Sequence, residues 1–339
     1  GSAVAPDAAP GPGSVSDGQG TDAAPGLSVL VVSYNTREMT LACLTSLLSG
    51  TGAPLEAVVV DNASSDGSAE AIRAAFAHEP RLTLIAEAEN HGFARANNLA
   101  AARARGRRLL LLNPDTVVLD GAVDRLLDFA RARPEAGIWG GRTLFADGAL
   151  NPSSCWARPT LWSALCRTAG LTGALRGSER FNPEAYGGWR RDSEREVDIV
   201  SGCFLLIDRP LWDRLGGFDP AFVMYGEEAD LCLRARAFGA RPRISPDAVI
   251  VHHGGASETA RADRVARILR GKAGVIRRHV PGLRGRAALW LNRVWPLTRW
   301  AAAALRGALP GRGATARGAE NAAVWREVWR RREEWAGGW

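Results

Sequence analysis

Four leucines, Leu109 to Leu112, run from Arg107-Arg108 straight into Asn113-Pro114-Asp115-Thr116. An apolar run of this length, bounded by charge and proline, fits a short strand covered on both faces, as in a parallel sheet. The tetrapeptide then lies just past the strand's carboxyl end. In open α/β sheets ligands bind at that edge, so Asp115 there can hold a divalent cation or a ligand hydroxyl. Taken alone, Asn, Pro, Asp and Thr read more readily as a simple turn. The neighbouring segments change that balance.

The pattern is repeated three times before it reaches Asp115. Leu27 to Val32 is an apolar strand ending in Ser33-Tyr34-Asn35, and Thr36 caps a helix marked by Leu41, Leu44, Leu47 and Leu48. Leu55 to Val60 ends in Asp61-Asn62-Ala63-Ser64-Ser65-Asp66-Gly67, with a helix over Ala69 to Ala77. Leu82 to Ile85 leads into Glu89-Asn90-His91-Gly92-Phe93, with a helix over Ala94 to Arg105. Strand, polar loop and helix in alternation predict an α/β chain with a doubly wound, parallel sheet and right-handed crossovers. The loop after the first strand lacks the G-x-G-x-x-G of a dinucleotide fold, and no P-loop is present. A bound phosphate is therefore expected to be neutralised by a metal rather than wrapped by a glycine loop.

The second half is less regular. Gly121 to Arg133 reads as a helix and Gly137 to Leu144 as a strand. From Asp147 to Glu196, Trp156, Trp162, Tyr186 and Trp189 lie among Pro and Gly, which suits either a loop covering a ligand or a surface excursion pinned by its aromatics. Regular structure resumes over Val197 to Ile207, where Gly202 in Ser201-Gly202-Cys203 permits a close approach. Gly226-Glu227-Glu228 then opens a helix in which Asp230 pairs with Arg234 one turn on. That pairing accounts for Asp230 but leaves adjacent Glu227 and Glu228 unexplained. A last strand, Ala248 to Val251, ends in His252-His253, which are ligands or surface residues.

Charge separates off the tail. Residues 261 to 339 hold 17 Arg and Lys272 against five acids, a net +13, so with a whole-chain charge of +7 the preceding residues carry −6. The same tail holds seven of the 12 Trp. Arg with Trp suits an anionic membrane surface, and also nucleic acid. The most apolar stretch, Ala287 to Leu305, is broken by Arg293, Pro296 and Arg299, so it falls short of the roughly 20 apolar residues of a span. Two interfacial helices, Ala287 to Arg306 and Glu320 to Trp339, are expected around a Gly/Arg linker, Gly307 to Gly318; packing of those Trp onto the rest of the protein is the alternative. Residues 1–26 are rich in Ala, Gly and Pro without a signal peptide's apolar core and are expected to be disordered. Five scattered Cys argue against a zinc site or disulfide framework and for reduced thiols in a cytoplasmic protein.

Taken in order, Ser33-Tyr34-Asn35, Asp61-Asn62, Asn90-His91-Gly92-Phe93 with Asn97, Asn113-Pro114-Asp115-Thr116, Gly226-Glu227-Glu228 with Asp230, and His252 resemble family 2 glycosyltransferases of the GT-A fold, especially their rhamnosyltransferase-like branch. The resemblance covers residues 27 to about 255. It implies a Rossmann-like, mostly parallel sheet with flanking helices over residues 27–258, a donor half at 27–145 and an acceptor half at 146–258, followed by the amphipathic helical tail at 259–339. It also implies an inverting transfer from a nucleotide-diphosphate sugar, dTDP-rhamnose being favoured, to a polyprenyl-diphosphate-linked or polysaccharide acceptor at the inner leaflet of a bacterial plasma membrane, with no nucleic-acid partner. Ser33, Tyr34, Asn35 and Asp61 would then lie at the nucleoside, with Asn90, Gly92 and Asn97 lining the nucleotide or sugar-phosphate side, and Asn62, Phe93 and Asn113 also binding the donor. Asp115 and His252 would hold Mg²⁺ or Mn²⁺.

Two departures from the family pattern stand out. Asn113-Pro114-Asp115 replaces the Asp-x-Asp of many relatives and leaves one carboxylate for the metal, and Glu228 stands where Asp is frequent. With Leu231, Ala235 and Phe238 read as the buried stripe of its helix, Glu227 is expected to face the protein and Glu228 to be the general base, kept ionised by the positive end of the helix dipole.

Overall fold

In the computed structural model, which describes residues 25–254, 261–308 and 314–339, strand β1 (Leu27–Ser33) is buried throughout. It pairs in parallel with β2 (Leu55–Asn62) on one side and β4 (Arg108–Leu112) on the other, and β3 (Leu82–Glu87) extends the sheet beyond β2. The crossovers are α1 (Arg37–Gly50), α2 (Ser68–Ala75) and α3 (Gly92–Arg103). Cover on both faces explains why β1 is apolar from Val29 to Val32, with buried Ser28 donating to Glu56 at 2.6 Å. Leu27, Val29 and Val31 pack with Leu44 and Leu47 of α1, whereas Leu30 and Val32 pack on the other face with Ala96, Ala100 and Ala101 of α3. Each fully buried Val or Leu contributes about 1.5–3 kcal/mol, so this two-sided layer fixes both strand register and helix placement.

Beyond β4 the chain adds β5 (Thr116–Val118), α4 (Ala122–Ala132) and β6 (Ile138–Leu144). An irregular stretch follows, with two-residue strands β7 (Leu150–Asn151), β8 (Cys155–Trp156), β9 (Arg195–Glu196) and β10 (Ile199–Val200) and helices α5 (Leu161–Thr168) and α6 (Leu171–Ala174). β11 (Phe204–Asp208), α7 (Arg209–Leu215), α8 (Glu227–Ala237) and β12 (Arg243–His252) complete the sheet, whose order is β3-β2-β1-β4-β11-β6-β12-β5. β11 runs antiparallel to both β4 and β6, and β12 antiparallel to β5, so the sheet is mostly parallel with a mixed second half. The expected single segment from Val197 to Ile207 is broken at Ser201–Cys203: Ile199–Val200 leaves the main sheet to pair with Cys155–Trp156. All five cysteines are buried and unpaired.

The stretch between β6 and β11 is pinned rather than open. Tyr186 is buried, its hydroxyl accepts the Asp198 N–H at 2.9 Å, and Trp189 meets it edge-on at 5.9 Å. Buried Arg191 donates to the carbonyls of Trp189, Ala185, Pro152 and Cys155. Thr160 and Ser163 form a reciprocal cap that starts α5.

The tail comprises α9 (Arg261–His279), α10 (Gly282–Ala308), α11 (Ala314–Arg330) and α12 (Arg332–Trp335). The expected linker is therefore helical towards both ends, with residues 309–313 outside the described set, as are residues 1–24 of the expected disordered segment. Trp325 and Trp335 are buried, and Trp295 meets Trp325 at 5.0 Å. Trp290 is 62% exposed beside exposed Leu283, so the tail turns some indoles inward and leaves others out. Among the described residues no helix is long and apolar enough to cross a membrane.

One ion cluster joins the tail to the sheet-covering helices. Asp230 of α8 is fully buried and accepts from Arg234 at 2.7 Å, His279 at 2.8 Å and Arg278 at 3.0 Å, and Arg278 also reaches Asp219 at 2.7 Å. The expected Asp230–Arg234 pair is present, and two α9 side chains seal its carboxylate from water. Burial pushes this carboxyl up, but His279, Arg234 and Arg278 outweigh it and hold it down at about 2. A depressed carboxyl stabilises the fold above its unfolded value of about 3.9, and that contribution is lost as pH falls towards the folded value. Asp230→Asn should cost about 3–5 kcal/mol in chemical denaturation at neutral pH, the usual consequence of breaking a buried charge cluster. A loss too small to measure would show that the cluster does not hold α9 to α8.

Candidate active site

The polar loops at the carboxyl ends of β1, β2, β3 and β4 converge with the start of α8 and the end of β12 around a cavity of about 580 Å³. Pairing of β12 with β5 places His252 opposite Thr116, one residue beyond Asp115. The His253 N–H donates to the Asp115 carbonyl at 3.0 Å and the Gly254 N–H to its Oδ2 at 2.9 Å, while His252 Nε2 lies 3.3 Å from Oδ1. Asn113 Nδ2 is 3.4 Å from the same imidazole nitrogen. Burial pushes the Asp115 carboxyl up, but hydrogen bonding and charge from His252 and the Gly254 N–H more than offset this and hold it below the usual range. Burial pulls the His252 imidazole down, yet Cys203 and Asp115 together raise it to about 10.

Across the cavity, Gly226 (φ +98°) turns the chain into α8, and Glu227 and Glu228 both line the cavity. One carboxylate oxygen of each, Oε2, is buried without a hydrogen-bond partner. Glu227 is buried, as expected for a residue facing the protein, and it lines the cavity as well. Leu231 and Ala235 do form the buried stripe, but Phe238 is 58% exposed and does not belong to it. Burial and then the charge of Glu228 push Glu227 well above the ordinary glutamate value. Burial also raises Glu228, while the N–H groups of Glu228, Gly226 and Gly202 pull it partly back. Two adjacent buried carboxyls titrate as a pair.

Asn62 and Asn90 both line the cavity: Asn62 Nδ2 donates to Asn90 Oδ1 at 2.9 Å, and Asn62 Oδ1 accepts from the His91 N–H at 2.9 Å. Tyr34, Gly92, Phe93 and Asn113 also line the cavity. Ser33, Asn35, Asp61 and Asn97 stand behind it. Ser33 bonds Thr40 at 3.0 Å, and Asn35 (φ +51°) accepts from the Ser65 N–H at 2.8 Å. Asn97 donates to the Phe93 carbonyl at 2.9 Å. Asp61 accepts from the Ser64 N–H at 3.1 Å, but its Oδ1 is buried and unpartnered. Trp156, Asn151 and Gly202 also line the cavity. The sequence marked Trp156, in a loop suited to covering a ligand, and Gly202, in the Ser-Gly-Cys turn, but carried no signal for Asn151.

A sequence model of glycosyl transferase family 2 matches residues 28–213, more than half of the chain. The chain belongs to glycosyl transferase family 2. It is 29% identical over 245 residues to the N-acetylglucosaminyl-diphospho-decaprenol L-rhamnosyltransferase of Mycobacterium tuberculosis, covering 67% of this chain and 76% of that one. It is 28% identical over 215 residues to the low-salt glycan biosynthesis hexosyltransferase Agl10 of Haloferax volcanii, covering 62% and 61% respectively. The mannosyltransferase PcManGT from Pyrobaculum calidifontis, solved with GDP-Man and Mn²⁺, superposes with a TM-score of 0.55 at 22% identity over 93% of this chain and 86% of its own, a likeness of fold. The glycosyltransferase thus has the GT-A architecture expected from its loops. The family match ends before α8, so it does not itself bear on Glu227, Glu228 and His252.

Among the described residues no group of three or more His, Cys, Asp or Glu gathers as a metal site. Asp115 and His252 nevertheless fit a cation that takes further ligands from a diphosphate, because both border the cavity and Asn113 Oδ1 beside them is buried without a partner; such a cation would displace the proton that Asp115 helps to hold on His252. For this glycosyltransferase a base drawn from the Glu227–Glu228 pair must be ionised, so sugar transfer should fail as pH falls through the raised value. A pH–rate profile should show an acid limb above the ordinary glutamate value of about 4.3. A limb at or below that value would contradict a buried carboxylate base.

Proposed function

We propose that the protein is an inverting rhamnosyltransferase that moves L-rhamnose from dTDP-rhamnose to a polyprenyl-diphosphate-linked sugar at an anionic membrane surface. The observation that carries this reading is the placement of two unpartnered carboxylate oxygens, from Glu227 and Glu228, in the same cavity as the Asp115–His252 pair. An acceptor hydroxyl seated against Glu228 attacks the sugar's C1 from the face opposite the diphosphate. Glu228 takes its proton as the C1–O bond to the nucleoside diphosphate breaks, so configuration inverts. A divalent ion held by Asp115 and His252, Mg²⁺ or Mn²⁺, would supply neutralisation of the charge that builds on the leaving diphosphate. Asn62 and Asn90 border the nucleoside, with Asp61 behind them offering its unpartnered Oδ1. The rhamnosyl and lipid-diphosphate assignments draw on the mycobacterial relative.

Division into a donor half, an acceptor half and a basic tail follows from the same reading. Exposed Leu283 and Trp290 of α10, with exposed Arg284 and Arg286, support seating on the inner leaflet.

Transfer assays with a panel of nucleotide sugars test the proposal. dTDP-rhamnose should be the preferred donor and nucleoside diphosphate the released product; preference for UDP-galactofuranose or a mannosyl nucleotide would replace the donor, and binding without transfer or hydrolysis would replace the enzyme with a binding module. Glu228→Gln should lower kcat by roughly 10²- to 10⁴-fold with donor affinity kept, and Glu227→Gln by less. The reverse order would exchange their roles. In vesicle sedimentation the protein should bind anionic lipid in low salt, at about 1 kcal/mol per basic residue near the surface, and release in high salt. Equal binding to neutral vesicles would contradict the electrostatic part.

A further inference from the structure

The segment Phe222 to Gly226 feeds directly into Glu227, and its backbone is held where side chains rarely go: φ is +67° at Tyr225 and +98° at Gly226. A left-handed aromatic residue persists only where its surroundings impose the conformation. Here the surroundings belong to the tail. On α9, Gly271 lies so close that a Cβ there would stand 2.2 Å from the Tyr225 carbonyl oxygen. One turn later a Cβ on Gly274 would be 3.0 Å from the Phe222 ring, so the loop beds into a groove between two glycines of one helix face.

Trp339 closes that groove. Its indole Nε1 donates to the Tyr225 carbonyl at 3.3 Å, and its ring packs against the main core. The indole is itself clamped: the Arg270 guanidinium carbon lies 4.2 Å from the ring centroid, and Arg270 Nε donates to the Gly338 carbonyl at 3.2 Å. Gly338 presses on α9 so closely that a Cβ would stand 2.7 Å from the Gly274 nitrogen. On its far side the same loop accepts the Phe93 N–H on the Val223 carbonyl at 3.2 Å, at the edge of the cavity. The strap thus ties three separate parts of the sequence to the turn that presents the two glutamates.

We propose that Trp339 is a positioning residue: wedged between α9 and the Tyr225 carbonyl, it holds the Phe222–Gly226 turn so that Glu227 and Glu228 face the cavity. The basic tail is then part of the catalytic apparatus as well as a surface for lipid. The consequence for turnover rests on the assignment of Glu227 and Glu228 above, whereas the mechanical part does not. Asn62 and Asn90 are held by their own hydrogen bonds, and the turn touches the donor side only through Gly92 and Phe93, so donor affinity should change far less than turnover.

Full-length Trp339→Ala, Trp339→Phe and Arg270→Gln test this by amide hydrogen exchange and steady-state kinetics. The Arg270 variant loosens the indole without removing it, so an answer survives if the alanine variant fails to fold. Exchange over residues 222–228 should quicken by about tenfold or more in Trp339→Ala and Arg270→Gln, with the core strands unchanged. The kcat for the donor chosen by the panel should fall about 10- to 100-fold, as expected for a catalytic group displaced by an ångström, with Kd for the donor within about twofold. Trp339→Phe keeps the packing without the indole hydrogen bond and should fall between. Unchanged exchange at 222–228, or a kcat loss matched by an equal loss of donor affinity, would overturn the proposal. Faster exchange with wild-type kcat would overturn its catalytic part and count against Glu227 and Glu228. If wild type transfers no sugar from any donor, the functional reading fails and the exchange data alone decide whether the strap exists.

Discussion

The antiparallel pairing of β12 with β5 is the constraint on which the site depends. Three residues of β5 give little strand of their own, but they lie directly after Asp115, and their partners end in His252. That pairing brings a carboxylate and an imidazole from opposite halves of the chain into contact. It also turns the His253 and Gly254 N–H groups onto Asp115. Without β12 at this edge, Asp115 would be a turn residue at the end of β4, with burial raising its carboxyl and no cation to answer it. With it, the loop becomes a polarised corner that fits a cation.

Opposite that corner the protein carries a cost. Two adjacent glutamates are buried with an unpartnered oxygen each, an arrangement that opposes folding unless a proton stays on one of them. The Asp230 cluster and the tail around Tyr225 offset it by fixing the start of α8 from two sides, one ionic and one by close backbone packing. Strain of this kind is stored where the surrounding structure over-determines it, and here it lies between tail and cavity.

Much of this was legible in the sequence because strands buried on both faces leave unbroken apolar runs, and the polar loops after them gather at one sheet edge. Ser33 to Asn35, Asp61-Asn62, Asn90 to Phe93 and Asn113 to Asp115 all follow from that rule. Periodicity does not encode strand direction, so the antiparallel insertion of β11 between β4 and β6 left no mark in Phe204-Leu205-Leu206-Ile207. Asp230 beside Arg234 spells the same pattern on an exposed helix as on a buried one; only the arrival of Arg278 and His279 from α9 distinguishes them. Trp339 was legible as an amphipathic aromatic, suited to lipid or to packing, and the contact with Tyr225 depends on glycines that sequence pattern alone would count against α9.

The central claim is that one cavity binds a nucleotide sugar through its diphosphate, with Asp115 and His252 as the cation corner. Calorimetric titration of dTDP-rhamnose into the wild-type protein, with Mg²⁺ and then with excess chelator, tests it directly. The account predicts binding that weakens by about tenfold or more without the ion, a change of about 1.4 kcal/mol. Equal affinity in both conditions would contradict it.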